Sequence, residues 1–142
     1  MGTYTQIDHT ADFAVSVEGR DPEDLFRTAA LAWLEAVLPD LADAGSDRKN
    51  LSLTADSLDE LLVDFLNELN YLLFTRYWIP AGFNRIKIVK DNETYHLGAT
   101  VTGEPLNQKQ HHIQVEIKAV TYHQMRIEQK GNLLKTMVVF DI

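Results

Sequence analysis

The sequence predicts a single α+β domain with two main helices packed against a sheet. Two stretches carry apolar residues at helical spacing behind good caps, and from Phe83 onward the spacing changes to two, broken by short polar turns. No repeat, low-complexity tract or Pro/Gly/Ser linker divides the 142 residues. A chain of this length buries about 68 to 70% of the surface it exposes when unfolded, enough for one core without a staple.

The elements follow in order. Phe13, Val15 and Val17 alternate with Ala14, Ser16 and Glu18 as in a half-buried strand, and Gly19-Arg20-Asp21 turns it. Asp21 is an N-cap with Pro22 at the first helical position, and Glu23 and Asp24 suit the positive end of the helix dipole. Leu25, Ala29, Trp33 and Val37 then mark one helical face as far as Pro39. Leu51, Leu53 and Ala55 predict a short strand, and Ser57-Leu58-Asp59-Glu60 is a capping box. The helix it opens carries Leu61, Leu62, Phe65, Leu66, Leu69, Leu72 and Leu73 and ends before Trp78, which makes it the central core helix.

A strand around Ile86 to Lys90, the turn Asp91-Asn92, and Tyr95, Leu97, Ala99 and Val101 on one face predict a hairpin. After a polar loop from Gly103 to His112, the alternation of Ile113, Val115, Ile117 and Ala119 predicts another strand. Lys130-Gly131-Asn132 turns into a last strand from Leu133 to Asp141, where Val138 and Phe140 face one way and Met137 and Val139 the other. Apolar residues on both faces suit a central strand.

Composition narrows the function. The chain is 45% hydrophobic and 24% charged, as in soluble globular proteins, which makes the cytosol the expected compartment. It has no cysteine, so disulfides, thiolate nucleophiles and sulfur-ligated metals are excluded. The start, Met1-Gly2-Thr3-Tyr4-Thr5-Gln6, has no signal for a membrane. A net charge of −8 opposes a polyanion at long range, so tight direct nucleic-acid binding is not expected. Such a surface can steer the chain toward a basic protein, although charge that serves solubility alone is the better reading without context.

Two acidic clusters stand out: Asp8-His9-Thr10-Ala11-Asp12 near the start, and Asp141 beside the carboxylate of Ile142. Unit charges about 4 Å apart repel by roughly 4 kcal/mol at the dielectric suited to proteins, so carboxylates gathered in one place call for a proton or a cation. All-oxygen donors favour calcium or magnesium. Taken alone, the first cluster is better explained by a turn in which Asp8 and Thr10 bond nearby amides, and the plain reading of Asp141 is an exposed acid at a chain end. His111-His112 is a poor chelating pair, because neighbours on an extended segment point opposite ways, and an exposed polar loop is expected there. Lys118, Tyr122 and His123 are titratable residues at a strand end. No phosphate loop, nucleophile elbow or zincin motif is present.

Asp8-His9-Thr10-Ala11-Asp12, the stretch Glu116-Ile117-Lys118-Ala119-Val120-Thr121-Tyr122-His123 and the terminal Asp141-Ile142 together resemble the signature of the archease family over essentially the whole chain. Gly103-Glu104 and His111 also match family positions. The resemblance implies a mostly antiparallel sheet packed with helices, and a non-enzymatic accessory protein of the RtcB-type RNA ligase. That ligase joins 2′,3′-cyclic-phosphate or 3′-phosphate RNA ends to 5′-hydroxyl ends in tRNA splicing and RNA repair, using GTP and a divalent metal to guanylylate its own histidine. Archeases promote that step and repeated turnover. Carried over by residue, the resemblance puts metal binding on Asp12, Asp141 and Ile142. From the residues themselves, Asp8, His9, Lys118 and His123 are candidate supporting groups, and the oxygen donors favour Ca2+, with Mg2+ or Mn2+ as alternatives. Two other classes are an oxygen-ligand, metal-dependent hydrolase, which would need a water-activating base, and a general chaperone, which would need a sizeable apolar patch.

Overall fold

The computed structural model describes residues 2–8, 12–42, 45–122 and 125–142, and for Gln6, Ile7, Asp8 and Asp12 the backbone alone. Two antiparallel sheets enclose two helices. Strands β1 (Thr3–Asp8) and β2 (Asp12–Gly19) precede helix α1 (Pro22–Val37), then come β3 (Asp47–Ala55), α2 (Leu58–Phe74), β4 (Trp78–Asp91), β5 (Thr94–Pro105), β6 (Ala119–Val120), β7 (Glu128–Lys130) and β8 (Leu133–Asp141). One sheet runs β1-β2-β8-β6, with β7 also on β8, and the other runs β3-β5-β4.

Local chemistry sets both helices. The Asp21 side chain accepts from the Asp24 N–H at 2.8 Å, and Ser57 Oγ accepts from the Glu60 N–H at 3.1 Å, so each cap satisfies an otherwise orphaned donor. Glu60 reaches back to the N–H of Asp56 rather than to that of the cap itself. Both helices contact both sheets, and α2 buries Leu61, Leu62, Phe65, Leu66, Leu69 and Leu73 completely. Trp33 and Phe26 of α1 are as deeply buried, each contributing about 2 to 3 kcal/mol of transfer free energy. No helix is long and apolar enough to cross a membrane.

The expected hairpin is β4–β5, turning at Asn92 with φ 59°, and Gly131 with φ 63° turns β7 into β8. β8 is central, as its two-faced apolar end predicts: β2 pairs along one edge, β6 and β7 along the other. Four sequence expectations need correction. β1 was not foreseen, and β3 and β4 extend beyond the predicted strands. The alternating segment from Ile113 to Ala119 is extended but forms no ladder before Ala119. Its period comes from laying Ile113, Val115 and Ile117 on the helical core, and its backbone finds other partners: the Gln114 N–H donates to Val37 C=O at 2.8 Å. The loop after β5 is also folded more tightly than expected. His111, with a side chain only 7% exposed, accepts the Asn107 N–H at Nδ1 and meets Glu104 through Nε2.

Candidate functional site

The β2–β8 ladder brings the two acidic segments together. Asp12 lies opposite Asp141, and Phe13 lies opposite Phe140 with ring centroids 5.7 Å apart. Val138 and Phe140 on the inner face and Val139 on the outer are all buried, so the end of β8 is fixed from both sides. Like charges at directly opposed positions destabilise an antiparallel pair, so two acids in this register are unfavourable for the ladder itself.

Asp141 is held from its other edge as well. The Lys118 N–H donates to Asp141 C=O at 2.7 Å, Ala119 stands opposite Asp141, and the Thr121 N–H donates to Val139 C=O at 3.0 Å. This strap is fastened by polar side chains of α2. Asn67 treats Val120 as a neighbouring strand would, accepting its N–H at 2.8 Å and donating to its C=O at 3.1 Å. Buried Asn70 accepts from Trp33 Nε1 at 3.0 Å and donates to Ile117 C=O at 2.7 Å. Asp64 accepts the Tyr122 hydroxyl, and Asp59 accepts the Ile127 N–H at 2.9 Å. The hydrogen bond to Asp64, followed by burial and the charges of Asp64 and Glu60, pushes the Tyr122 phenol up to about 12.

Asn67 and Asn70 escaped the sequence reading, although a signal was there. Two asparagines one turn apart interrupt a leucine-rich helix whose propensity they lower, and such residues are kept where their amides have work to do.

The predicted residues divide as follows. The backbones of Asp12 and Asp141 meet, and Asp8 pairs with Phe13, one place from Asp12. Ile142 follows with 46% of its surface exposed. Lys118 reaches Asp141 through its backbone and exposes its side chain. His9 and His123 lie outside the described residues. Among the described residues no three His, Asp or Glu side chains converge, a statement that leaves out the Asp8 and Asp12 carboxylates. Thr121 Oγ1 is buried in the strap without a hydrogen-bond partner.

Residues 4–142 match the model of the Archease protein family (MTH1598/TM1083). The chain is 34% identical over 139 residues to a protein archease of Methanosarcina barkeri, covering 98% of this chain and 95% of that protein. It is 31% identical over 142 residues to the protein archease of Methanothermobacter thermautotrophicus, covering all of both. The solution structure of Methanobacterium thermoautotrophicum protein 1598 superposes with a TM-score of 0.84 at 31% identity over 98% of each chain. A crystal structure from Thermotoga maritima, described as an archease and possible chaperone, gives 0.64 at 26% identity over 96% of this chain and 94% of that one.

Proposed function

The chain belongs to the archease family, and on that premise we propose that it is a non-enzymatic activator of an RtcB-type RNA ligase, promoting the ligase's metal- and GTP-dependent guanylylation. The observation that carries this reading is the register that sets Asp12 opposite Asp141. In the proposal, Asp12, Asp141 and the carboxylate of Ile142 form an acidic knob presented to the ligase. The donors are all oxygen, which fits a hard divalent cation, Ca2+ before Mg2+ or Mn2+. Bound there, such an ion would supply positive charge beside phosphate oxygens at the ligase's active site.

The chain's own residues do the positioning. Asn67, Asn70 and the Lys118 N–H hold the strap and the end of β8 in one place, so the backbone that carries Asp141 needs no ordering when it docks. The net charge of −8 suits a partner whose own groove is basic enough to hold RNA.

A guanylylation assay with purified ligase tests the proposal. Asp141→Asn, or one residue added after Ile142, is expected to abolish stimulation while thermal unfolding stays unchanged. Full stimulation by both variants refutes the acidic-knob mechanism. Stimulation that fails to exceed that of an unrelated folded protein refutes the ligase role and returns attention to the chaperone class, of which the Thermotoga relative's description speaks.

A further inference from the structure

The outer face of the three-stranded sheet carries charge of the opposite sign. The registers align Arg48, Thr102 and Gly82 in one cross-strand row, Asn50, Thr100 and Arg85 in the next, and Ser52, Gly98 and Lys87 in a third. Arg85 owes its place to an irregularity in β4: between Gly82 and Arg85 the strand advances three residues while β5 advances two. An extra residue of this kind re-aims the side chains that follow it.

Two adjoining depressions, of about 420 Å³ and about 120 Å³, lie over this face and share Arg85 and Thr100. Gly98 opens the larger one, since a Cβ built there meets nothing within 4 Å. Lys87 lines the larger and Arg48 the smaller, and no carboxylate lines either. None of the three cations pairs with a described carboxylate, although the chain carries 21 acids against 13 bases. Leaving three cations unpaired side by side in an acidic protein forgoes easy neutralisation, and a polyanion would supply it.

The chemistry of the face narrows the occupant. A protein segment would need apolar or aromatic anchors at the centre of its interface, and none projects from these three rows. Bases would need aromatic rings to stack on, and the rows carry none. What the rows offer is cations for phosphate oxygens and hydroxyl and amide groups for sugar. Thr100 Oγ1 donates to Asn50 Oδ1 at 3.0 Å, which leaves the Asn50 NH2 to donate outward and the threonine oxygen to accept a 2′-hydroxyl.

We propose that this face is a docking surface for single-stranded RNA, held through its sugar-phosphate backbone without regard to base. The overall negative charge keeps the interaction weak and sensitive to salt. It is consistent with the absence of tight binding expected from composition. The proposal stands apart from the ligase reading, since Asp12 and Asp141 lie on the other sheet.

Fluorescence anisotropy of the full chain with a labelled oligouridylate tests it. Three phosphate contacts on a single strand give a slope of log K against log salt of about −2, or about a 20-fold loss between 50 and 200 mM. Arg85→Gln is expected to reduce the slope by about 0.7. Combining Arg48→Gln, Arg85→Gln and Lys87→Gln should abolish binding. Removing equal charge from other exposed positions, Lys109→Gln, Arg126→Gln and Lys130→Gln, should largely preserve it. The matching oligodeoxyuridylate should bind less well. No binding at low salt, equal loss in the two triple variants, equal affinity for the deoxy oligomer, or equal affinity for a polyglutamate peptide would each overturn the proposal. Unchanged thermal unfolding of both triples excludes misfolding as the cause.

Discussion

At the Asp141 end of the five-stranded sheet, polar side chains are committed: Asn67 and Asn70 clasp the strap, and the strap clasps the last strand. On the outer face of the three-stranded sheet, Arg48, Arg85 and Lys87 are committed to nothing in the described chain. Both regions are laid out by antiparallel registers, yet one uses polarity to fix backbone in the interior and the other leaves it available at the surface. The cost of removing a side chain should therefore fall on stability in the first region and on binding in the second.

The widest separation should come from Asn70→Ala set against Arg85→Gln. Asn70→Ala leaves the Trp33 Nε1–H and the Ile117 C=O buried without partners, each costing about 1 to 3 kcal/mol, so a total loss of about 4 kcal/mol is expected. Arg85→Gln, at an exposed position, should stay within about 0.5 kcal/mol. Urea unfolding followed by tryptophan emission reports both, and Trp33 itself sits at the broken contact. Equal midpoints for the two variants would erase the distinction between the regions.

This contrast marks where sequence was informative. Both helices and the β4–β5 turn rest on local rules, capping and periodicity, and Asp21, Ser57 and Asn92 stand where those rules put them. The segment from Ile113 to Ala119 shows the limit: its alternation reports one-sided burial, whereas ladder formation depends on what lies alongside, here the end of α1 and the amide of Asn70. Asp12 and Asp141 were visible as unusual acids, but their pairing is a relation across the whole chain that only the register supplies. The basic face was invisible for the same reason. Arg48 and Arg85 are far apart in sequence and share a face only because β4 takes one residue more than β5 between Gly82 and Arg85.

Acid should sharpen the comparison further. Asp24, 3% exposed, accepts from the Gly2 N–H, the Arg20 N–H and Arg20 Nε where β1 and β2 meet α1. Burial raises its carboxyl, but the Arg20 N–H, the amino terminus and the Arg20 guanidinium outweigh it, and the net direction is below the ordinary 3.8. A carboxyl depressed in the folded state contributes stability that is present above its unfolded value and lost as pH falls through the folded one. Asp24→Asn is expected to cost about 2 kcal/mol at neutral pH, by loss of charge-assisted bonds, and to flatten the decline in stability below pH 3.8. No carboxylate lines the basic face, so the face triple should keep the wild-type acid slope.

Asn67→Ala probes the strap where it is only partly buried. It removes both bonds to Val120, but water can reach that edge, so about 1 kcal/mol is expected in urea unfolding. Loss of ligase stimulation beyond that small destabilisation would identify Asn67 as a positioning residue. Asn67→Gln, able to offer the same pair of groups, should restore part of it.

The smallest effect belongs to Tyr122, which is polar and tied like the strap around it, yet half exposed like the basic face. Its phenol is held protonated by the bond to Asp64, so the contact persists below the ordinary tyrosine value of 10.0 and is lost as pH rises toward about 12. Solvent screens the interaction, and Tyr122→Phe should barely move the urea midpoint at neutral pH. The ultraviolet titration of tyrosinate is the sensitive readout: Tyr122→Phe should remove a late-ionising component, and Asp64→Asn should bring that component earlier. If neither variant changes the alkaline end of the curve, Tyr122 belongs with the uncommitted surface, and the strap is fastened without it.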